Sequence, residues 1–147
     1  MQPQAAQQYL RTKVLTATPE QLQLMLYDGA IRFSEQGKAG LEKQDLAASH
    51  KAFTKAQAIL NELNATLKHE VHPEMCAKLA ALYNYAYRKL VEANVRHIVS
   101  SVDEALKVLH FQRETWMLLM EKLRQGKTSP TEMVEAYERD ETFSVQG

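Results

Sequence analysis

The histidines are the first residues whose types and spacing could do chemistry. Of five histidines, two stand in His69-Glu70-Val71-His72, one residue short of the His-Glu-x-x-His zinc motif, and Pro73 interrupts any helix that would set both rings on one face. The spacing gives two solvated loop histidines and no metal. A di-iron bundle needs Glu-x-x-His on two helices, and no histidine here has a Glu three positions before it. His50-Lys51 or His110 could carry a phosphoryl group in a histidine phosphotransfer bundle, although no small residue pairs with the Lys to open access to His50. That bundle stays as the alternative function, against the simpler reading of surface histidines on charged helix faces. Cys76 sits at the edge of an apolar stripe with no His-Asp pattern to activate it, which favours a packed thiol over a nucleophile. There is no Cys-x-x-Cys-His and no Gly-rich phosphate loop. The expectation is therefore no catalytic residue, no metal, no cofactor and no enzyme.

Composition narrows the classes further. A chain of 147 residues is the length of one domain with a substantial core. Eighteen Lys plus Arg against 18 Asp plus Glu give a net charge of zero, so no overall field gathers nucleic acid or an anionic membrane. Nucleic acid is not an expected partner. No run approaches the ~18 apolar residues of a membrane span, so no membrane insertion is expected either. One cysteine cannot close an internal disulfide, and Met1 to Gln8 lacks the charged start and apolar core of a secretory signal. The cytosol is the expected compartment.

The elements that would position any site read as helices throughout. Thr18-Pro19-Glu20-Gln21 combines a capping residue, Pro at the first helical position and Gln where a capping box wants it, so a helix starts there and runs to about Lys38. A second begins near Asp45, carries Leu46, Phe53, Ala56, Leu60, Leu63 and Leu67, and ends near Lys68. Pro73 opens a third with Met75, Leu79, Leu82, Tyr83, Ala86, Leu90 and Ala93 on one side, followed by a turn over 94–100. The fourth, capped by Ser100 or Ser101, presents Val102, Leu106, Leu109, Trp116, Met120 and Leu123, and Gly126 closes it. The expected fold is all-α: an antiparallel four-helix bundle over 18–125, an N-terminal arm over 1–17, and a C-terminal extension over 126–147 with a short acidic helix after Ser129-Pro130. Tyr9, Leu10, Val14 and Leu15 make the arm apolar enough to dock weakly on the bundle.

Laid out at about 100° per residue, the helices carry more apolar surface than one stripe each. Leu22, Met25, Leu26, Gly29, Ala30 and Phe33 form a stripe for the core of the first bundle helix, while Leu24, Tyr27 and Ile31 form another that reads as roughly opposite. Phe111 and Leu118 project away from the seam of the fourth helix, and Tyr85 stands among Lys78, Arg88 and Lys89 off the stripe of the third. A bundle needs one stripe per helix. The surplus is covered by the terminal extensions, forms a self-assembling oligomer, or makes a groove for a partner's amphipathic helix.

Residues Thr18-Pro19-Glu20-Gln21-Leu22-Gln23-Leu24-Met25-Leu26-Tyr27-Asp28-Gly29-Ala30-Ile31 resemble the opening signature of the flagellin-specific export chaperones, the FliS family. Further matches are Tyr9, Leu82-Tyr83-Asn84-Tyr85 with Arg88, Lys89 and Leu90, then Glu92-Ala93-Asn94 and Arg113-Glu114-Thr115-Trp116; Asn84 stands where the family usually has Asp. The resemblance spans Tyr9 to Leu123. It implies a cytosolic chaperone, a monomer or weak homodimer without nucleotide or metal. Such a chaperone binds the C-terminal amphipathic segment of flagellin, prevents premature polymerisation, and supports type III export with export gate components reached through the complex. Joined to the surplus stripes, it makes Tyr9, Leu24, Tyr27, Ile31, Asn84, Tyr85, Phe111 and Leu118 the expected partner-binding residues.

Overall fold

A computed structural model describes residues 3–126 together with Val134 and Glu135. It contains α1 (Pro3–Thr16), α2 (Pro19–Glu42), α3 (Leu46–Ala65), α4 (Pro73–Arg96) and α5 (Val99–Arg124), with no strand among the described residues. Of the acidic helix expected after Ser129-Pro130, only Val134 and Glu135 fall among the described residues, both helical; the rest lies outside them.

The helix starts follow from side-chain chemistry. The Thr18 hydroxyl accepts from the Gln21 amide at 3.1 Å while the Gln21 side chain accepts from the Thr18 amide at 3.0 Å, so two backbone donors at the start of α2 are satisfied before the ladder begins. Asp45 caps α3 through the Ala48 amide at 3.1 Å. Pro73 occupies the first turn of α4, as expected. The start of α5 differs from the sequence expectation. Its cap is Ile98, without a side-chain bond, and Ser101 instead donates its hydroxyl to the Glu92 carboxylate on α4. His97 takes a left-handed φ of 57° that lets α4 turn into α5 within two residues. The interhelix turn is therefore shorter than 94–100.

Helices α2 to α5 form the four corners of a bundle in which α3 packs against α2 and α4, α5 packs against α4, and α2 closes the ring against α5. Asp28 pairs with Arg113 and Lys38 with Asp103 at 2.8 Å, which fixes α2 and α5 antiparallel. The core comprises Tyr27, Ala30 and Ile31 of α2, Phe53, Ala56, Leu60 and Leu63 of α3, Leu82, Tyr83, Ala86 and Leu90 of α4, and Val102, Ala105, Val108 and Leu109 of α5.

On α2 the burial differs from the two stripes expected of its sequence. Tyr27 and Ile31 are 2% and 8% exposed, whereas Leu22, assigned to the core, is 38% exposed. The reason is close helix approach. Gly29, Gly37 and Gly40 bring α3 so near that a β-carbon on Gly37 would lie 2.3 Å from Phe53 Cε1 and one on Gly40 2.8 Å from the Ser49 amide nitrogen. A helix held against α3 on one flank and α5 on the other buries a wide arc, and the two stripes are its edges rather than opposite faces. Leu46, expected in the α3 seam, is 45% exposed in the first turn.

The arm also departs from expectation, being a helix of 14 residues (α1) whose residues 4–16 are all exposed. Tyr9 and Leu15 are 67% and 74% exposed, so the docking of the arm on the bundle is not found.

Candidate partner-binding groove

The apolar residues of α5 divide between two environments. Up to Gln112 its inward positions fill the core, but in the last three turns the bundle tapers and its apolar residues line a groove against the start of α2. The groove holds about 490 Å³, with Leu24, Trp116, Met117, Leu118 and Met120 as its apolar wall and Glu20, Glu121 and Arg124 at its rim. Trp116 Nε1 donates to the Glu20 carbonyl at 3.0 Å, one of the carbonyls in the first turn of α2, and this bond joins the two walls. One turn before Met117 on α5, Arg113 pairs with Asp28 and donates to Met117 Sδ at 3.1 Å. Leu118 is 65% and Met117 45% exposed. Such a cleft can take up an apolar helix face and hold its polar flank at a charged rim; nothing in it is a nucleophile or a general base.

Of the residues expected to bind a partner, Leu24 and Leu118 meet in this groove. Tyr27 and Ile31 are core residues, which corrects their assignment to a surface. The Tyr27 hydroxyl lies 2.7 Å from that of Tyr83, and Gln23 Nε2 donates to both at 3.0 and 3.4 Å. Burial raises the Tyr27 phenol above its usual value, partly opposed by these hydrogen bonds. Asn84 lies on another edge of the bundle, accepting from Asn64 Nδ2 at 3.2 Å. Tyr85 packs between α4 and α5, its hydroxyl donating to Glu104 at 3.4 Å and its ring under Arg88 and Lys89. Phe111 is half-buried two turns before Leu118 and does not line the groove. Tyr9 stands exposed on α1. Sequence reasoning missed Met117 altogether and placed Trp116 and Met120 in the core seam; Trp116 does pack against the core and lines the groove as well, whereas Met120 lines the groove, and the one available signal for the groove was the excess of apolar residues over 116–120.

Asn94 Nδ2 lies 3.0 Å from His50 Nδ1, and His110 Nε2 lies 4.0 Å from the Glu35 carboxylate, both on exposed faces. No group of three metal-ligating side chains occurs among the described residues.

The family model described as flagellar protein FliS matches residues 1–123. The chain belongs to the FliS family. A FliS protein is a flagellar secretion chaperone, and the function is not enzymatic. Relatives with that name include the FliS of Bacillus subtilis, 33% identical across 81% of this chain and 88% of the relative, and that of Salmonella typhimurium, 34% identical across 80% and 87%. The Escherichia coli FliS is 33% identical across 76% of this chain and 82% of its own length. The FliS match thus includes α1, α2, α3, α4 and α5 up to Leu123, one residue before Arg124 at the groove rim, and stops short of the extension.

Proposed function

We propose that the chain binds the C-terminal amphipathic segment of flagellin in the groove between the start of α2 and the end of α5, prevents premature polymerisation, and hands the subunit to the flagellar type III export gate. The observation that carries this is the apolar wall of Leu24, Trp116, Met117, Leu118 and Met120 left open at one end of the bundle, beyond the core. An amphipathic segment that is unfolded before assembly gains a helix-stabilising surface there. Ordering it takes several kcal/mol, so the contact extends beyond the groove, with Tyr9 of the arm as a clamp and Phe111, Tyr85 and Asn84 as outlying contacts. The two methionines suit a client whose side chains vary, because thioethers repack readily.

The division of labour is an arm over 1–17, a bundle over 18–125 and an extension over 126–147. The site of action is the cytosol, where a client is met before export, and no helix of the described residues is long and apolar enough to cross a membrane. The working form is a monomer or weak homodimer without nucleic acid. Titration calorimetry of the full chain against flagellin, and against flagellin lacking its C-terminal segment, tests the reading. Binding to the first and none to the second is expected; equal binding to both overturns it.

A further inference from the structure

The groove and α1 are two unpartnered apolar surfaces on either side of one joint in the chain. Ala6, Leu10 and Val14 recur every four residues of α1 with Tyr9 beside them, so they share a face. Tyr9, Leu10 and Val14 are 67%, 54% and 43% exposed. A helix of 14 residues is marginal in water without tertiary support. We propose that α1 of one copy of this chain lies in the groove of a second copy, and that the exchange is reciprocal, closing both grooves while no client is bound.

Shape, charge and the joint select this occupant. The α5 wall of the groove runs from Trp116 to Arg124, roughly 12 Å at 1.5 Å per residue, and the apolar face of α1 from Ala6 to Val14 has the same length. A convex helix face fits a concave wall, whereas two grooves cannot fill one another. The rim sets Glu20 and Glu121 against Arg124, and α1 brings Arg11 and Lys13 with no acid. Two α1 helices packed on each other would instead place like charges together. The joint denies α1 its own groove. Only Ala17 and Thr18 separate α1 from α2, and both are held. The Ala17 amide donates to the Val14 carbonyl at 3.3 Å, and Thr18 gives and receives the bonds of the capping box. The α2 wall starts at Glu20, so an α1 in its own groove would double back within that joint and break these bonds. With them intact, residues 4–16 all stand exposed. A short, fixed joint that keeps a segment from its own site favours exchange of the segment between copies, and a twofold pair satisfies both at once. The regulatory consequence rests on the flagellin reading: client and α1 claim the same wall, so client entry separates the pair and frees α1 to act as the clamp.

Sedimentation equilibrium of the full chain over a concentration series tests the exchange. The wild type should dimerise reversibly. Leu10→Asp with Val14→Asp spoils α1, and Leu118→Asp spoils the groove; all three positions are exposed, so the bundle should melt as before. Each variant alone should raise the dissociation constant of the pair by about tenfold or more, as for loss of an apolar anchor. An equimolar mixture of the two should recover association, because one sound α1 meets one sound groove. A monomeric wild type overturns the proposal, as does a dimer indifferent to either variant or a mixture no tighter than its parts. Added flagellin should convert the dimer into one-to-one complexes. Flagellin bound to an undissociated dimer overturns the exchange, whereas flagellin that fails to bind strikes the flagellin reading and leaves the sedimentation result standing.

Discussion

The hydroxyls of Tyr27 and Tyr83 meet 2.7 Å apart across the diagonal of the bundle, one from α2 and one from α4, with their ring planes tilted by 41°. Both residues are buried, and Gln23 closes the small polar cluster towards solvent. A hydrogen bond inside an apolar core ties parallel corner helices that share little other contact, and fixes which residues of each face one another.

Tyr27→Phe should therefore lower stability by about 1–2 kcal/mol, the usual effect of removing one partner of a buried hydrogen bond. The double variant with Tyr83→Phe should lose less than the sum of the two single losses, because each single change already removes the shared bond. Urea unfolding of the four proteins measures this cycle, and strict additivity would show the two hydroxyls to be energetically independent.

The glycines of α2 should differ sharply from one another. Gly40→Ala meets the backbone of Ser49 and Gly37→Ala meets the Phe53 ring, so each should cost about 1–3 kcal/mol of overpacking. At Gly29 the nearest atom is the Cδ1 end of Ile59 at 3.0 Å, a flexible tip, and the gain of up to about 1 kcal/mol in helix propensity offsets the contact. Thermal melts that order the three as near-neutral for Gly29 and destabilised for Gly37 and Gly40 are expected.

Two aspartate substitutions should separate surface from core. Leu118→Asp places a charge where the native side chain is 65% exposed, so the melting point should hold while flagellin affinity falls by about 2 kcal/mol or more, as for a central apolar anchor. Ile31→Asp places it in the core and should destabilise the bundle by roughly 3 kcal/mol or more. Calorimetric titration beside melting curves checks both; a Leu118 variant that binds normally removes the groove from the binding surface.

Tyr9→Ala should weaken flagellin binding by about 1–3 kcal/mol if its exposed ring closes on the client as a clamp. Titration calorimetry that finds unchanged affinity would confine binding to the bundle.

Acid should act on the α4–α5 turn. The Glu92 carboxyl is held below its ordinary value of 4.5, chiefly by the hydrogen bond from Ser101 and then by Lys89. With the folded value lower than the unfolded one, this carboxylate adds stability above pH 4.5, and its contribution is lost as pH falls through the folded value. Ser101→Ala should therefore flatten the acid limb of melting temperature against pH between 6 and 3, roughly the window spanned by carboxylate titration. An unaltered limb would show that the bond does not shift Glu92.

What the sequence alone determined were the features that arise within a few residues or recur along one helix: the capping box of Thr18 and Gln21, the Asp45 cap, Pro73 at the start of α4, and the seams through Leu60, Leu63, Tyr83 and Leu90. These depend on local hydrogen bonds and on a period near 3.6 residues, both readable without a partner helix. The opening signature also carried the family. Only the tertiary structure decided which edge of each apolar arc is covered. Tyr27 and Ile31 look like surplus when α2 is drawn alone, and become core because small residues let α3 approach one flank while α5 closes on the other. Met120 looks like core when α5 is drawn alone, and lines a groove because the buried positions of α5 end at Gln112, while Trp116 both packs against the core and lines that groove. A helical wheel contains angles but no neighbours, and burial is set by neighbours.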